Sequence, residues 1–161
     1  MESFDVLVVG AGPGGSAAAR HAAKAGCRTL LIEKRAEIGV PVRCGEGIAQ
    51  RWLADLGIAP DSDILLHAAE GVRVVAPDGS CLLLGAPTPG GAVGYTLDRT
   101  RFDQHLAAEA ARAGAEVRIR TSAVGLRTEA GTVVGARCEH MGRTYDVRAA
   151  VVIGEIGRAH V

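Results

Sequence analysis

FDVLVVGAGPGGSAAARHAAKAGCRTLLIE, from Phe4 to Glu33, sets out a strand, a turn, a helix and a second strand in immediate succession. Val6 to Val9 is apolar and rich in β-branched residues, the pattern of a strand buried on both faces of a parallel sheet. Gly10, Gly12 and Gly15 follow in the spacing GxGxxG. Pro13 falls where a helix would begin, a position at which a missing N–H costs nothing. Ser16 to Ala25 is mostly alanine and predicts a helix. Gly26 stops it, and Arg28 to Ile32 reads as another apolar strand closed by Glu33.

Each glycine of the turn has a mechanical task. Gly10 lets the chain leave the strand sharply, Gly12 lets backbone approach a pyrophosphate, and Gly15 lets the helix pack close to the sheet. The unpaired N–H groups of the helix start then face the phosphates, reinforced by the helix dipole. Glu33 lies 18 residues beyond Gly15, where a carboxylate can accept hydrogen bonds from a ribose diol. The other reading is a glycine-rich turn in an unrelated α/β protein. Strand, glycines, helix, strand and acid in register favour a dinucleotide site.

Composition narrows the class. The 161 residues suffice for one domain. They are 48% hydrophobic but only 3% aromatic, so the core must be built from Ala, Val, Leu and Ile. The formal net charge is zero, which gives no global field to attract nucleic acid, and no nucleic-acid partner is expected. No apolar run reaches the length of a helical membrane span, and no signal-peptide pattern precedes the first strand. The expectation is a cytoplasmic protein, with a peripheral membrane role left open. Cys27, Cys44, Cys81 and Cys138 form no CxxC pair, which argues against zinc and structural disulfides. Cys27, Cys81 and Cys138 read as small buried hydrophobes. The five histidines, at 21, 67, 105, 140 and 160, share no metal-like spacing.

Beyond Glu33 the chain changes character. KRAEIGVPVRCGEGIAQ predicts a long loop, Ile48 to Leu56 a short helix ended by Gly57, and Asp61 to Leu66 a connection. GVRVVAP and SCLLLGA flank Asp78-Gly79, a hairpin signal. Pro87 to Gly91 predicts a further turn, and Ala92 to Leu97 a third strand of the same antiparallel sheet. Asp98 is a candidate N-cap for a helix from Arg99 to Ala113, with Phe102, Leu106 and Ala110 on one face and Gly114 as the stop. GAEVRIR reads as a parallel-sheet strand. Ala123 to Glu129, Thr132 to Glu139 and Arg143 to Val147 read as a three-stranded meander with turns at Gly131 and Gly142. Ala149 to Ile153 would be a last strand returning to the first sheet. EIGRAHV, Glu155 to Val161, lacks periodicity and coincides with the translation of a widely used sequencing adapter. It reads as a non-native tail on the N-terminal part of a longer enzyme.

PVRCGEG, Pro41 to Gly47, together with the preceding EKRAEIG and with YTLDRTRFDQHLAAEAARAGAEV, Tyr95 to Val117, resembles the geranylgeranyl reductase family of FAD-dependent flavoproteins. Within that family it resembles the archaeal-type digeranylgeranylglycerophospholipid reductases and their bacterial relatives. The resemblance runs from residue 4 to about residue 153. It implies an α/β fold: a Rossmann-like FAD-binding domain similar to p-hydroxybenzoate hydroxylase, the start of an antiparallel substrate-domain sheet, and the meander. Residues 1–70 would then be the FAD-binding βαβ unit and loop, 71–97 the partial substrate sheet, 98–154 the rest of the FAD-binding domain, and 155–161 the tail.

The implied activity is reduction of isolated C=C bonds in isoprenoid chains by reduced flavin, with a prenyl lipid as substrate and reduced ferredoxin or NAD(P)H as electron donor. The same scaffold also serves aromatic monooxygenases and halogenases, and a non-catalytic dinucleotide-binding fragment is the reading from a different class. Carried over by position, Gly10, Gly12, Gly14 and Gly15 would hold the pyrophosphate by backbone and Glu33 the adenosine ribose. Cys44, Gly45 and Gly47 would touch the cofactor, Arg99 would reach the pyrophosphate region, and Ala123 would meet the adenine side. After VVIG the family has a short ADG-type motif, where this chain has EIG.

Each of these residues also has a plainer reading. Glu33 beside Lys34 and Arg35 could form a surface ion pair of little value. Cys44 could be an inert loop thiol. Arg43 and the neighbouring glycine backbone could instead lower its pKa, which makes it the one candidate proton donor; no other catalytic residue is proposed. Arg99 could be an ordinary first-turn residue, although a cation opposing the helix dipole suits a phosphate partner. Trp52 is expected to pack in the core beneath the short helix.

Overall fold

The computed structural model describes residues 1–42, 44–59, 61–85 and 93–156. The turn expected at Pro87 to Gly91 lies outside them. In chain order the elements are β1 (Glu2–Val9), α1 (Pro13–Lys24), β2 (Thr29–Ile32), β3 (Gly47–Ala49), a 3₁₀ turn (Gln50–Trp52), α2 (Leu53–Leu56), β4 (Leu65–Ala69), β5 (Gly71–Val75) and β6 (Cys81–Gly85). They continue as β7 (Gly94–Leu97), α3 (Arg99–Arg112), β8 (Glu116–Arg118), β9 (Thr121–Glu129), β10 (Thr132–His140) and β11 (Arg143–Gly154). Two compact units result: Met1–Pro41 with Asp103–Val161, and Val42–Phe102.

The first unit is built on a six-stranded sheet in the order β8-β2-β1-β11-β10-β9. β1 lies parallel to β2 and to β11, and β2 parallel to β8. β9, β10 and β11 form the expected antiparallel meander. Alternation along the parallel strands sends side chains into two apolar clusters. Leu7, Leu30 and Ile32 join Phe4, Ala136, Cys138, Val147 and Ala149. Val8 and Leu31 join Val6, Ala11, Ala19, Ala110 and Ala115. Alanines on α1 and α3 allow close approach to the sheet. Each fully buried leucine contributes on the order of 1.5–3 kcal/mol. The expected helix stops, Gly26 and Gly114, both adopt positive φ, and the N–H groups of Cys27 and Ala115 close back onto Ala22 O and Ala110 O.

One boundary moved. The strands expected at Arg143 to Val147 and Ala149 to Ile153 are one continuous β11. Its first half pairs with β10 and its second half with β1. Arg148, between the two expected segments, carries no turn signal and pairs with Gly135 on one side and Ser3 on the other.

In the second unit, β5 and β6 form the expected hairpin, with Ala76 and Ser80 closing the turn through a 2.9 Å backbone bond. The strand expected to extend that hairpin does not pair with it. β7 lies between β3 and β4 in a separate three-stranded antiparallel sheet. Ile48 and Ala49, expected to be helical, are in β3 because pairing to Tyr95 and Gly94 outweighs their local preference. The helix is confined to Gln50–Leu56 and ends at Gly57 as expected. Leu65 and Leu66, read as connection, begin β4. Trp52 is not core: it is 49% exposed, with the Arg51 guanidinium 5.1 Å from its ring. Cys81 is exposed on the hairpin, Cys27 is half-buried, and Cys138 alone among the three is fully buried. Burial pushes the Cys138 thiol pKa up.

Candidate dinucleotide site

The glycine turn sits where β1 ends and α1 begins. Gly10 has φ +107° and donates its N–H to Ile32 O at 2.8 Å, tying the turn to the end of β2. A Cβ on Gly15 would stand 1.8 Å from Gly10 O, so α1 can start this close to the strand only with glycine there. Gly12 differs. Its φ is −73°, which any residue can adopt, and a Cβ there would meet nothing within 4 Å. The missing side chain at Gly12 therefore leaves backbone open and serves no packing need among the described residues.

Gly12 is the N-cap of α1 and makes no side-chain cap, and the first turn carries no acidic residue. Its N–H groups lack intrahelical partners and present the positive end of the helix dipole. Ser16, buried at the start of the next turn, donates its hydroxyl to Ala11 O at 3.3 Å and fixes the chain between the first two glycines.

Glu33 closes β2 facing this turn. Its Oε2 accepts from the Ala11 N–H at 3.0 Å and its Oε1 accepts from the Arg35 N–H at 3.0 Å. A carboxylate offers about four lone-pair sites, so two protein bonds leave acceptor capacity for a diol. Glu33 is half-buried and makes neither an ion pair with Lys34 nor one with Arg35 among the described residues. Thr121 N–H donates to Glu33 O at 2.8 Å, which brings the start of β9 alongside. Ala123, two residues on, pairs with Cys138 and packs against the cluster containing Leu7 and Leu30.

The remaining expected contacts belong to the second unit. Cys44 is exposed. A Cβ on Gly45 would meet open space, and Gly47 begins β3 opposite Thr96. Arg99 opens α3 with its guanidinium 5.8 Å from the Phe102 ring. Asp98 caps that helix as expected, accepting from the Arg101 N–H at 3.0 Å.

Two residues near the turn were not singled out by motif: Ala11, whose N–H holds Glu33, and Glu155. Glu155 N–H donates to Val9 O at 2.8 Å, and its side chain reaches the first turn of α1. Away from the turn, an open cavity of about 940 Å³ is lined by Glu2, Arg118, His140 and Tyr145, among others. There Arg118 bonds Glu2, Glu116 and the Tyr145 hydroxyl, which holds the Glu2 carboxyl below its ordinary pKa. This cavity includes none of the glycine-turn residues. No group of three or more potential metal ligands occurs among the described residues.

The open face at Gly12, the uncapped start of α1 and the spare acceptors of Glu33 fit the adenosine and pyrophosphate half of a dinucleotide. The family model for FAD-dependent oxidoreductases matches residues 5–154, and the chain belongs to that family. Its cofactor is accordingly FAD. More particularly, the chain is 48% identical over 158 residues to the digeranylgeranylglycerophospholipid reductase of Thermoplasma volcanium, covering 98% of this chain and 40% of that protein. It is 47% identical to digeranylgeranylglycerophospholipid reductase 2 of Methanococcoides burtonii, over 97% of this chain and 38% of that one. Among solved structures, it is similar to a geranylgeranyl bacteriochlorophyll reductase-like protein from Thermoplasma acidophilum, with TM-score 0.89 and 48% identity over 96% of this chain and 39% of that one. It is also similar to a myxobacterial chondrochloren halogenase, with TM-score 0.82 and 26% identity over 96% of this chain and 37% of the halogenase. The chain thus spans about 40% of the length of the curated relatives it matches.

Proposed function

We propose that the protein reduces carbon–carbon double bonds in isoprenoid chains of a prenyl glycerolipid, and that this chain supplies FAD-binding residues for that reaction. The observation that carries the reading is the 48% identity to a digeranylgeranylglycerophospholipid reductase across nearly the whole chain. Bound FAD would supply a ring that carries two electrons from a donor, reduced ferredoxin or NAD(P)H, to the alkene.

The chain's own residues anchor the other end of the cofactor. Backbone of Gly10, Gly12, Gly14 and Gly15 would receive the pyrophosphate, and Glu33 the ribose hydroxyls. The contacts proposed for Cys44, Gly45, Gly47, Arg99 and Ala123 rest on the sequence resemblance. Cys44, exposed on its loop, is the residue proposed to donate a proton. No described helix is long and apolar enough to cross a membrane.

The test is calorimetric titration of the purified protein with FAD and with NADPH, followed by chemical reduction and exposure to digeranylgeranylglycerophospholipid in micelles. FAD is expected to bind and NADPH not to bind at this site, and the lipid should gain two hydrogens per reduced bond by mass spectrometry. Tight NADPH binding without FAD binding would overturn the assignment. Rapid consumption of oxygen by the reduced protein, with the lipid unchanged, would favour a monooxygenase or halogenase.

A further inference from the structure

The β10–β11 hairpin turns at Met141-Gly142, both at positive φ, +49° and +79°. A two-residue turn of this kind fixes the register of the strands it joins, and it sets His140 directly opposite Arg143. Thr121 of β9 stands on the other side of His140. Two residues further into the sheet, Cys138 pairs with Tyr145 and with Ala123. Side chains two apart on a strand share a face, so His140, Arg143 and Tyr145 lie on the face that carries Cys138 and Val147 into the core. At the hairpin end these three line the open cavity of about 940 Å³, whose apolar wall includes Val117 and Ile119.

Each of the three keeps bonding capacity that the described residues do not use. Thr121 donates its hydroxyl proton to Ile119 O at 3.0 Å, and its Oγ1 lies 3.0 Å from His140 Nδ1. A hydroxyl has one proton, so Nδ1 is the donor in that second bond. Neutral His140 then carries its free lone pair on Nε2, at the far edge of the ring. Tyr145 Oη accepts from Arg118 Nη1 at 3.3 Å, and its own proton has no acceptor among the described residues. Arg143 makes no hydrogen bond or ion pair among the described residues. The carboxylates that line the cavity are already matched, Glu2 by Arg118 and Asp146 by Arg127 and Arg137.

We infer that this cavity is a second ligand site, for a small monocarboxylate that bears a hydroxyl and an apolar body. The Arg143 guanidinium and the Tyr145 phenolic proton suit the carboxylate. His140 Nε2 accepts from the hydroxyl, and Val117 and Ile119 cover the apolar part. The volume falls within the range of about 300–1,000 Å³ of small-molecule sites, which pair apolar walls with a few convergent polar groups. Arg118 bonds Glu2, Glu116 and Tyr145, so that wall is held in place before a ligand arrives. A solvated arginine alone marks nothing. Here the strand register puts it beside one unused acceptor and one unused donor, all lining the same cavity. The inference is independent of the FAD assignment, because the cavity shares no residue with the glycine turn.

The experiment is calorimetric titration of the protein with phenyllactate, which has all three features, and with phenylpropanoate, which lacks the hydroxyl. Arg143→Gln, Arg143→Lys and His140→Phe are titrated beside the wild type, each checked for folding by circular dichroism. Phenyllactate should bind the wild type. Arg143→Gln should weaken that binding by about tenfold or more, the range of a charge-assisted hydrogen bond, with Arg143→Lys in between. Phenyllactate should outbind phenylpropanoate by about threefold to tenfold on the wild type and match it on His140→Phe. FAD should not displace phenyllactate. In nuclear magnetic resonance of the wild type, the His140 ring-proton signal, identified by its loss in His140→Phe, should shift during the titration. No binding to the folded wild type, equal binding to folded Arg143→Gln, or competition by FAD would each overturn the inference. An unmoved His140 signal would do so as well, even where the Arg143 variants fail to fold.

Discussion

The Ala11 N–H donates to Glu33 Oε2 at 3.0 Å, joining the glycine turn to the acid that closes β2. The other oxygen accepts from Arg35 N–H at the same length. Two donors on two oxygens make glutamine a poor substitute, because an amide has one acceptor oxygen and turns its NH₂ toward the second donor. Glu33→Ala and Glu33→Gln should both lower stability by about 1–2 kcal/mol through an unsatisfied N–H. Both should weaken FAD binding by about tenfold to a hundredfold, the range of a charge-assisted hydrogen bond. Denaturant midpoints and calorimetric titrations check the two effects separately. The same carboxylate should repel a 2′-phosphate, so Glu33→Ala should also reduce discrimination against NADPH.

Gly12 and Gly15 should respond in opposite ways. A Cβ at Gly12 meets nothing within 4 Å among the described residues, so Gly12→Val should leave stability within about 0.5 kcal/mol. It should nevertheless abolish measurable FAD binding, because the valine stands where the pyrophosphate must approach. Gly15→Ala would press a methyl group onto Gly10 O and should destabilise the fold by about 1–3 kcal/mol or more, the cost of overpacking. Thermal unfolding without ligand, followed by FAD titration, reads both. A Gly12→Val protein with normal flavin occupancy would contradict the site.

The ion pair of Glu2 with Arg118 predicts a pH dependence. The hydrogen bond from Arg118 is the main cause that lowers the Glu2 pKa. A depressed folded-state pKa contributes stability above the unfolded value, about 4.3 for Glu, and that contribution is lost as pH falls through the folded value. The pair is partly exposed, so Glu2→Gln should cost about 1 kcal/mol or less at pH 7. The difference between variant and parent should shrink as the pH falls from about 7 toward about 3. Urea midpoints at the two pH values measure it, and an undiminished difference at pH 3 would show that Glu2 acts through packing.

The hairpin predicts self-association. Val72 pairs with Leu84 and Val74 with Leu82, which puts four apolar side chains on one face, each about half exposed. Contiguous apolar surface of this kind favours association. Leu82→Thr combined with Leu84→Thr should lower the associated fraction in sedimentation velocity without lowering the unfolding temperature. Unchanged sedimentation would clear the hairpin of that role.

Residues 1–33 were readable because their signals are local. β1, the glycines, α1 and β2 each carry their own pattern, and Glu33 follows at the expected distance. Asp98 as cap and Phe102, Leu106 and Ala110 as a buried face were legible for the same reason. What sequence did not reveal depends on partners far along the chain. Ile48 and Ala49 are a strand only because Tyr95 and Gly94 lie opposite. β7 joins β3 and β4 although β6 precedes it in the chain. Trp52 and Cys81 are apolar by type yet exposed by position. Glu155 carries no motif; only parallel pairing of β1 with β11, which sets Val9 beside Gly154, places it at the turn.

That pairing also sets the order in which the unit can be completed. Glu2 meets Val147 and Val9 meets Gly154, so β1 has an unfilled edge until almost all of the described chain has been synthesised. Every intervening element, the whole second unit included, must be accommodated before that edge closes. Closure over so long a loop is entropically slow, and an open β1 edge is available to other strands in the meantime. β1 and β2 can pair early, but the layer that β11 completes can close only afterwards. Chaperone dependence during synthesis should therefore track how late β11 emerges.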